Sequence, residues 1–181
     1  MRVITGSARG KRLSACTGNA VRPTPDRVKE ALFSIIQFQI EGRRVLDLFA
    51  GSGQLGIEAL SRGAKEAVFV DVAREPTEVI AKNLESTHLS DRAKIKQMDF
   101  ASYLASDCGT FDLAFLDPPY RTGLLQRAMK LVAGRMNQGG TIICENPIDE
   151  ILPETAGDFV RRKTYRYGKI ALTLYQHKDV T

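Results

Sequence analysis

The sequence predicts an α/β protein built on a mostly parallel sheet with helices on both faces. Three observations carry that expectation. From Arg43 onward, short apolar runs alternate with stretches of helical periodicity. The first of those runs opens directly into a glycine-rich turn, "DLFAGSGQLG", at a strand-to-helix junction. Near the C-terminus, "DFVRRKTYRYG" and "KIALTLYQH" both have strand character with only Gly168 between them, so a closing hairpin should make one edge antiparallel.

The elements follow in order. Residues 1–22 are short of apolar periodicity and rich in Gly, Ser, Thr and Arg. "RVIT" and "KRLSA" can pair there as a small hairpin around residues 6–10, a basic N-terminal appendage ahead of a main domain over residues 23–181. "TPDRVKEALFSIIQFQI" is the first helix. Thr24 is placed to be its N-cap, Pro25 suits the first helical position, and Val28, Leu32, Ile35 and Ile36 share one face. "RVLDLFA" is then a buried strand, "LGIEALSRG" a helix closed by Gly63, "EAVFVD" a second strand and "EPTEVIAKNLEST" a second helix of the alternating series. "AKIKQMD" is a weaker strand and "FASYLAS" a short helical stretch. "FDLAFLD", "TGLLQRAMKLVAGRM" and "GGTIICE" complete the alternation as strand, helix and strand.

A chain of 181 residues, 43% hydrophobic and 26% charged, is ordinary for one globular domain. No apolar run approaches the ~20 residues needed to span a bilayer. The opening "MRVITGSARGKRL" lacks the apolar core of a secretory signal, which points to the cytoplasm. Cys16, Cys108 and Cys144 are scattered and odd in number, so they read as reduced thiols with neither a disulfide framework nor a metal site. The net charge of +5 is unevenly spread. Within residues 1–30, Arg2, Arg9, Lys11, Arg12, Arg22, Arg27 and Lys29 face only Asp26 and Glu30. A second cluster comprises Arg161, Arg162, Lys163, Arg166 and Lys169, and Arg121 adds a further cation in mid-chain. These are either solvated faces or a surface that follows a phosphate backbone.

Gly51, Gly53 and Gly56 form G-x-G-x-x-G after the first strand of the series. Missing side chains let the backbone turn tightly and let a ligand approach the helix N-terminus. Asp71 ends the next strand, twenty positions after Gly51, where an acid can accept hydrogen bonds from two ribose hydroxyls; the alternative is a cap for the helix that follows. The arrangement admits a nicotinamide dinucleotide or S-adenosylmethionine. Asp47, four residues before the first glycine, favours the latter, because a carboxylate there can engage a cationic amino group that a pyrophosphate lacks. Asp99, ending the third strand of the series beside Phe100, can accept from an adenine amine or start a loop as a cap.

"LDPPYRTG" then leaves the fourth strand of the series abruptly, because proline restricts both itself and the residue before it. Ligands of such sheets lie outside the carboxyl ends of the strands, so Asp117 shares a rim with Gly51, Asp71 and Asp99. The Asp117 carboxylate and the Pro118 carbonyl can accept from an exocyclic –NH2, Pro119 stiffens the corner, and Tyr120 offers a stacking face worth roughly 1–3 kcal/mol per base. Two acceptors on one amine aim its lone pair at an electrophilic methyl, so orientation supplies most of the catalysis.

With "VLDLFAGSG", "VFVD" and "DPPY" together, the chain resembles the class I S-adenosylmethionine-dependent methyltransferases that act on an exocyclic nucleobase nitrogen. More narrowly, "MRVITGSARGKRL", "RPTPDRVKEALF", "VLDLFAGSGQLGIEALSRGA", "FLDPPYRTGLL" and "YGKIALTLY" resemble the RsmD family, which methylates a guanine N2 in small-subunit (16S) ribosomal RNA. The resemblance implies a Rossmann-like seven-stranded sheet with an antiparallel edge strand. It implies a charged face for RNA in an assembling small subunit, and nothing in it demands more than a monomer. It places Ala50, Gly51, Ser52 and Gly53 under S-adenosylmethionine, Asp71 at its ribose, Asp99 and Phe100 at its adenine, and Asp117, Pro118 and Tyr120 around the guanine. Thr24 and Arg27 belong to the segment expected over the methionine end. Two departures stand out. "VAREP" follows Asp71 where an acid is expected, and Tyr120 stands where phenylalanine is frequent. A base held at Asp117 must be unpaired or flipped. An adenine-N6 methyltransferase, a nicotinamide dehydrogenase and a non-catalytic RNA-binding assembly factor remain as alternatives.

Overall fold

The structure, a computed structural model, describes residues 1–17 and 23–180. Eight strands form one sheet in the order β3-β2-β1-β4-β5-β8-β7-β6. They are β1 (Arg44–Leu48), β2 (Glu66–Asp71), β3 (Ala93–Gln97), β4 (Phe111–Leu116), β5 (Met136–Pro147), β6 (Thr155–Ala156), β7 (Phe159–Tyr167) and β8 (Ile170–His177). Strands β1 to β5 are parallel, and β8, β7 and β6 continue antiparallel. The expected seven strands become eight because Thr155–Ala156 pairs with Val160 and Phe159 as a two-residue edge, too short to leave a period in the sequence.

Helices α1 (Asp26–Ile35), α2 (Gln54–Ser61) and α3 (Arg74–Thr87) cover one face, and α4 (Phe100–Ala105) and α5 (Leu124–Ala133) the other. Among the described residues no helix is long and apolar enough to cross a membrane. The first helix buries Val28, Leu32 and Phe33, and the Phe33 ring lies 5.6 Å from that of Phe115 on β4. Its N-cap is Pro25, not Thr24, and no side chain caps it. The Thr24 hydroxyl has instead turned to a carboxylate far along the chain.

The expected pairing of "RVIT" with "KRLSA" reduces to one antiparallel bridge, Arg2 to Arg12, flanked by turn hydrogen bonds such as Gly10 N to Val3 O at 2.9 Å. This arm lies on the main core: Val3, Ala8 and Leu13 are buried in the same cluster as α1 and α2. Glu58 on α2 holds it, accepting from the Ile4 and Thr5 amides at 2.8 and 3.0 Å. Lys29 and Arg62 neutralise that buried carboxylate at 3.8 and 2.8 Å. Gly6 makes the approach possible, since a Cβ there would fall 1.8 Å from the Ser61 carbonyl oxygen. The expected division at residue 22 lies outside the described residues.

Between β1 and β4 the strand order reverses, and the carboxyl ends of the parallel strands form a rim at that switch point. Leu48 pairs with Leu116, so the residues after β1 and β4 leave the sheet side by side.

Candidate active site

A cleft of about 440 Å³ opens along this rim. In strand order its lining comes from Asp99 and Phe100 after β3, Asp71 at the end of β2, the Ala50–Ser52 turn after β1, and Asp117 to Tyr120 after β4. The cofactor and target residues named from the sequence, except Gly53, are thereby brought together by five separate segments, with Thr24 as the fifth.

The glycine turn is built by its sequence. Gly51 and Gly53 take φ of 57° and 77°, values that tax other residues. Gly56 serves packing: a Cβ there would meet the Phe69 ring at 2.3 Å. Phe49 adopts φ 65° beside them and stacks obliquely on Phe100, ring centres 5.0 Å apart. A non-glycine residue in that region is strained, and here it faces the cleft.

Two acids brace the turn. Asp71 accepts from the Gly51 amide through one oxygen and from the Ala73 amide through the other, both at 3.0 Å. Asp47 is buried and accepts from Gly56 N at 2.9 Å, fixing the first turn of α2. Burial pushes its carboxyl up to about 7, with the Gly56 amide opposing and Asp71 adding. Asp99 caps α4, accepting from Ser102 N at 3.0 Å, as the cap reading of its sequence expects, and it also lines the cleft.

At the corner, Asp117 is half-buried. Burial first, then the nearby charges of Glu145 and Asp47, raise its carboxyl well above the usual range. The Thr24 hydroxyl donates to Glu145 Oε2 at 2.9 Å and lies 3.5 Å from Asp117 Oδ2. The Tyr120 hydroxyl donates to Glu145 Oε1 at 3.0 Å. Glu145, at the end of "GGTIICE" and only 6% exposed, was not among the residues expected at the site. An acid closing an apolar strand on the same rim was the available signal. Gln54 was missed too: its Nε2 donates to Thr24 O at 3.4 Å, while its buried Oε1 has no partner among the described residues.

The family model described as "Conserved hypothetical protein 95" matches residues 1–176. "Ribosomal RNA small subunit methyltransferase D" of Escherichia coli (strain K12) is 33% identical over 98% of this chain and 90% of its own. The chain belongs to the RsmD family. "Putative rRNA methyltransferase YlbH" of Bacillus subtilis (strain 168) is 39% identical, covering 98% of this chain and 100% of that one. The solved structure "Putative methyltransferase yhhF from Escherichia coli" superposes with a TM-score of 0.88 at 33% identity over 99% of both chains. The fold also extends, at 23% identity and a TM-score of 0.69, to the Thermus thermophilus 16S rRNA N2 guanine methyltransferase RsmC in complex with AdoMet and guanosine, covering 90% of this chain and 45% of that one.

In this RsmD-family chain the basic residues divide by environment. Arg9, Lys11, Arg12 and Arg27 are exposed, and Arg2 is exposed with Asp26 at 4.0 Å. The Met1 sulfur sits 3.4 Å from the Ser52 hydroxyl, so the basic arm ends beside the glycine turn. Three other candidates are engaged within the protein. Arg121 pairs with Asp149 at 2.8 Å; Arg161 pairs with Glu154 and donates to Leu152 O at 3.3 Å; Arg162 donates to the His177 and Lys178 carbonyls at 2.9 and 3.2 Å. Arg22 lies outside the described residues.

Proposed function

We propose that the protein methylates the exocyclic N2 of a guanine in small-subunit ribosomal RNA, with S-adenosylmethionine as donor. The observation that carries this reading is the placement of Asp117 and Tyr120 on one cleft with the glycine turn, Asp71 and Asp99. The cleft's donor set fits the cofactor. Asp47 and the unpartnered Gln54 Oε1 are acceptors suited to a cationic amino group, Asp71 retains acceptor capacity for ribose hydroxyls, and Asp99 retains one oxygen for an adenine amine. When bound, S-adenosylmethionine supplies an electrophilic methyl group on a sulfonium centre.

The chain's own part is orientation. Asp117 and the Pro118 carbonyl would accept the two N2 protons of guanine, turning the amine's lone pair towards the cleft, while the Tyr120 ring stacks on the base. No strong base is needed before attack. The exposed cations of the arm and Arg27 would hold the phosphates around an unpaired or extruded nucleotide. The name of the Escherichia coli relative, a small-subunit rRNA methyltransferase, supports ribosomal RNA as the substrate. The reading extends to a cytoplasmic monomer acting on an assembling subunit. The test is methyl transfer to small-subunit rRNA followed by nucleoside analysis. N2-methylguanosine is expected; N6-methyladenosine, or no product despite cofactor binding in calorimetry, would overturn the reading.

A further inference from the structure

Glu145 lies directly behind the target corner, on β5, where nothing in the expected chemistry assigns it a task. Each of its oxygens accepts from a different wall of the site: Oε1 from the Tyr120 hydroxyl and Oε2 from the Thr24 hydroxyl. Thr24 reaches from the segment before α1, 121 residues away in sequence, and Tyr120 from the corner after β4. Between these two walls stands Asp117, 3.5 Å from the same Thr24 hydroxyl. A buried carboxylate is costly unless it is hydrogen-bonded, so a neutral side chain would have been the simpler filling for this strand.

We propose that Glu145 is a positioning residue for methyl transfer: it fixes the Tyr120 ring and Thr24 around the acceptor base, and its charge makes the ionised Asp117 carboxylate a stronger proton acceptor. The proposal rests on the function inferred above. S-adenosylmethionine, held by the cleft, would supply the methyl and leave as the neutral thioether with the bonding pair, and the proton that N2 must lose would go to the Asp117 carboxylate. The charged groups facing Asp117 are Glu145 from β5 and Asp47 from β1, both negative, so each disfavours its ionised form and makes it a better base. Arg121 and Glu150 share a small cavity with Glu145 and the Pro118–Tyr120 corner. The hydroxyl of Tyr120, unexpected where phenylalanine is frequent, thereby acquires a reason.

The experiment uses Glu145→Gln, Glu145→Asp and Tyr120→Phe in the full chain, with kcat and RNA KM measured across pH. Asp117 must be ionised to accept, so kcat rises with pH through its titration. Removing the Glu145 charge lowers that titration, so the acidic limb of Glu145→Gln should move to lower pH while kcat at its plateau falls about tenfold. Glu145→Asp should return the limb towards its original pH. Tyr120→Phe should raise the RNA KM and leave the limb in place. A limb unmoved by Glu145→Gln, or a plateau kcat within twofold of the unsubstituted protein, would overturn the proposal. Carboxyl NMR titration of Asp117 in the cofactor-free protein supplies a reading independent of activity. An Asp117 titration unchanged by Glu145→Gln refutes the charge effect; a lowered titration in a protein inactive on rRNA refutes the proposed function instead.

Discussion

The carboxylates of the cleft share one rim but differ in what they can do. Asp117 stands where a base amine would be held, apart from the hydrogen bonds that brace the glycine turn. Asp117→Ala should therefore abolish methyl transfer while leaving S-adenosylmethionine affinity within a few fold by calorimetry; an equal loss of both would contradict the assignment. Asp47 is different because its burial is nearly complete. Its folded-state carboxyl at about 7 lies above the ordinary 3.8, so the unfolded chain releases this proton first as pH rises. Its effect on stability is thus harmless below about pH 4 and increasingly unfavourable up to about 7. Asp47→Asn should flatten the pH dependence of Tm across that window. A cation bound beside Asp47 also favours its ionised form, so cofactor binding below pH 7 should release protons, visible as a calorimetric enthalpy that varies with the buffer. Asp47, Asp71, Asp99 and Asp117 were legible in the sequence because each lies at or near a strand's end, and strand ends define the rim. Glu145 carried the same signal at the end of "GGTIICE" and was passed over, whereas Gln54 carried none, since its relevance comes from a partner 30 residues away.

At the level of the element, the glycine turn and α2 behave as one unit. Gly56 packs its bare Cα against Phe69 of β2, and its amide is held by Asp47 of β1. Gly56→Ala forces the Phe69 ring aside in a well-packed core, a change that should cost about 1–3 kcal/mol in urea unfolding and weaken cofactor binding along with it. Unaltered stability would mean that α2 can move away from the sheet. Parallel strands with buried faces leave continuous apolar runs, and for that reason β1, β2 and β4 could be read directly from the sequence. The two-residue β6 leaves no such trace. Thr24 shows a different limit: its local context fits an N-cap, but Glu145 outcompetes the helix for its hydroxyl.

For the whole molecule, charge is what meets a polyanion. The exposed Arg9 and Arg12 have no acidic partner within the described residues, unlike Arg121 and Arg161. Arg9→Ala and Arg12→Ala should each weaken RNA binding and lower the slope of log K against log salt by about 0.7–0.9 for every phosphate left without its cation. The same substitution at Arg161 should change that slope less, because its guanidinium is committed to Glu154 and the Leu152 carbonyl. The two basic clusters were visible in the sequence, but their unequal availability depends on which acids fold beside them. The sheet order has one more outcome. The strand that comes last in sequence, β8, is inserted between β5 and β7 instead of being added at an edge. During synthesis, a chain halted before Ile170 would leave the strand that bears Glu145 with an open flank, and apolar Phe159 without the His177 ring that covers its edge. Because β8 pairs with β5, the strand that carries Glu145 is flanked on both sides only once β8 has joined the sheet, so the rim is completed late in folding.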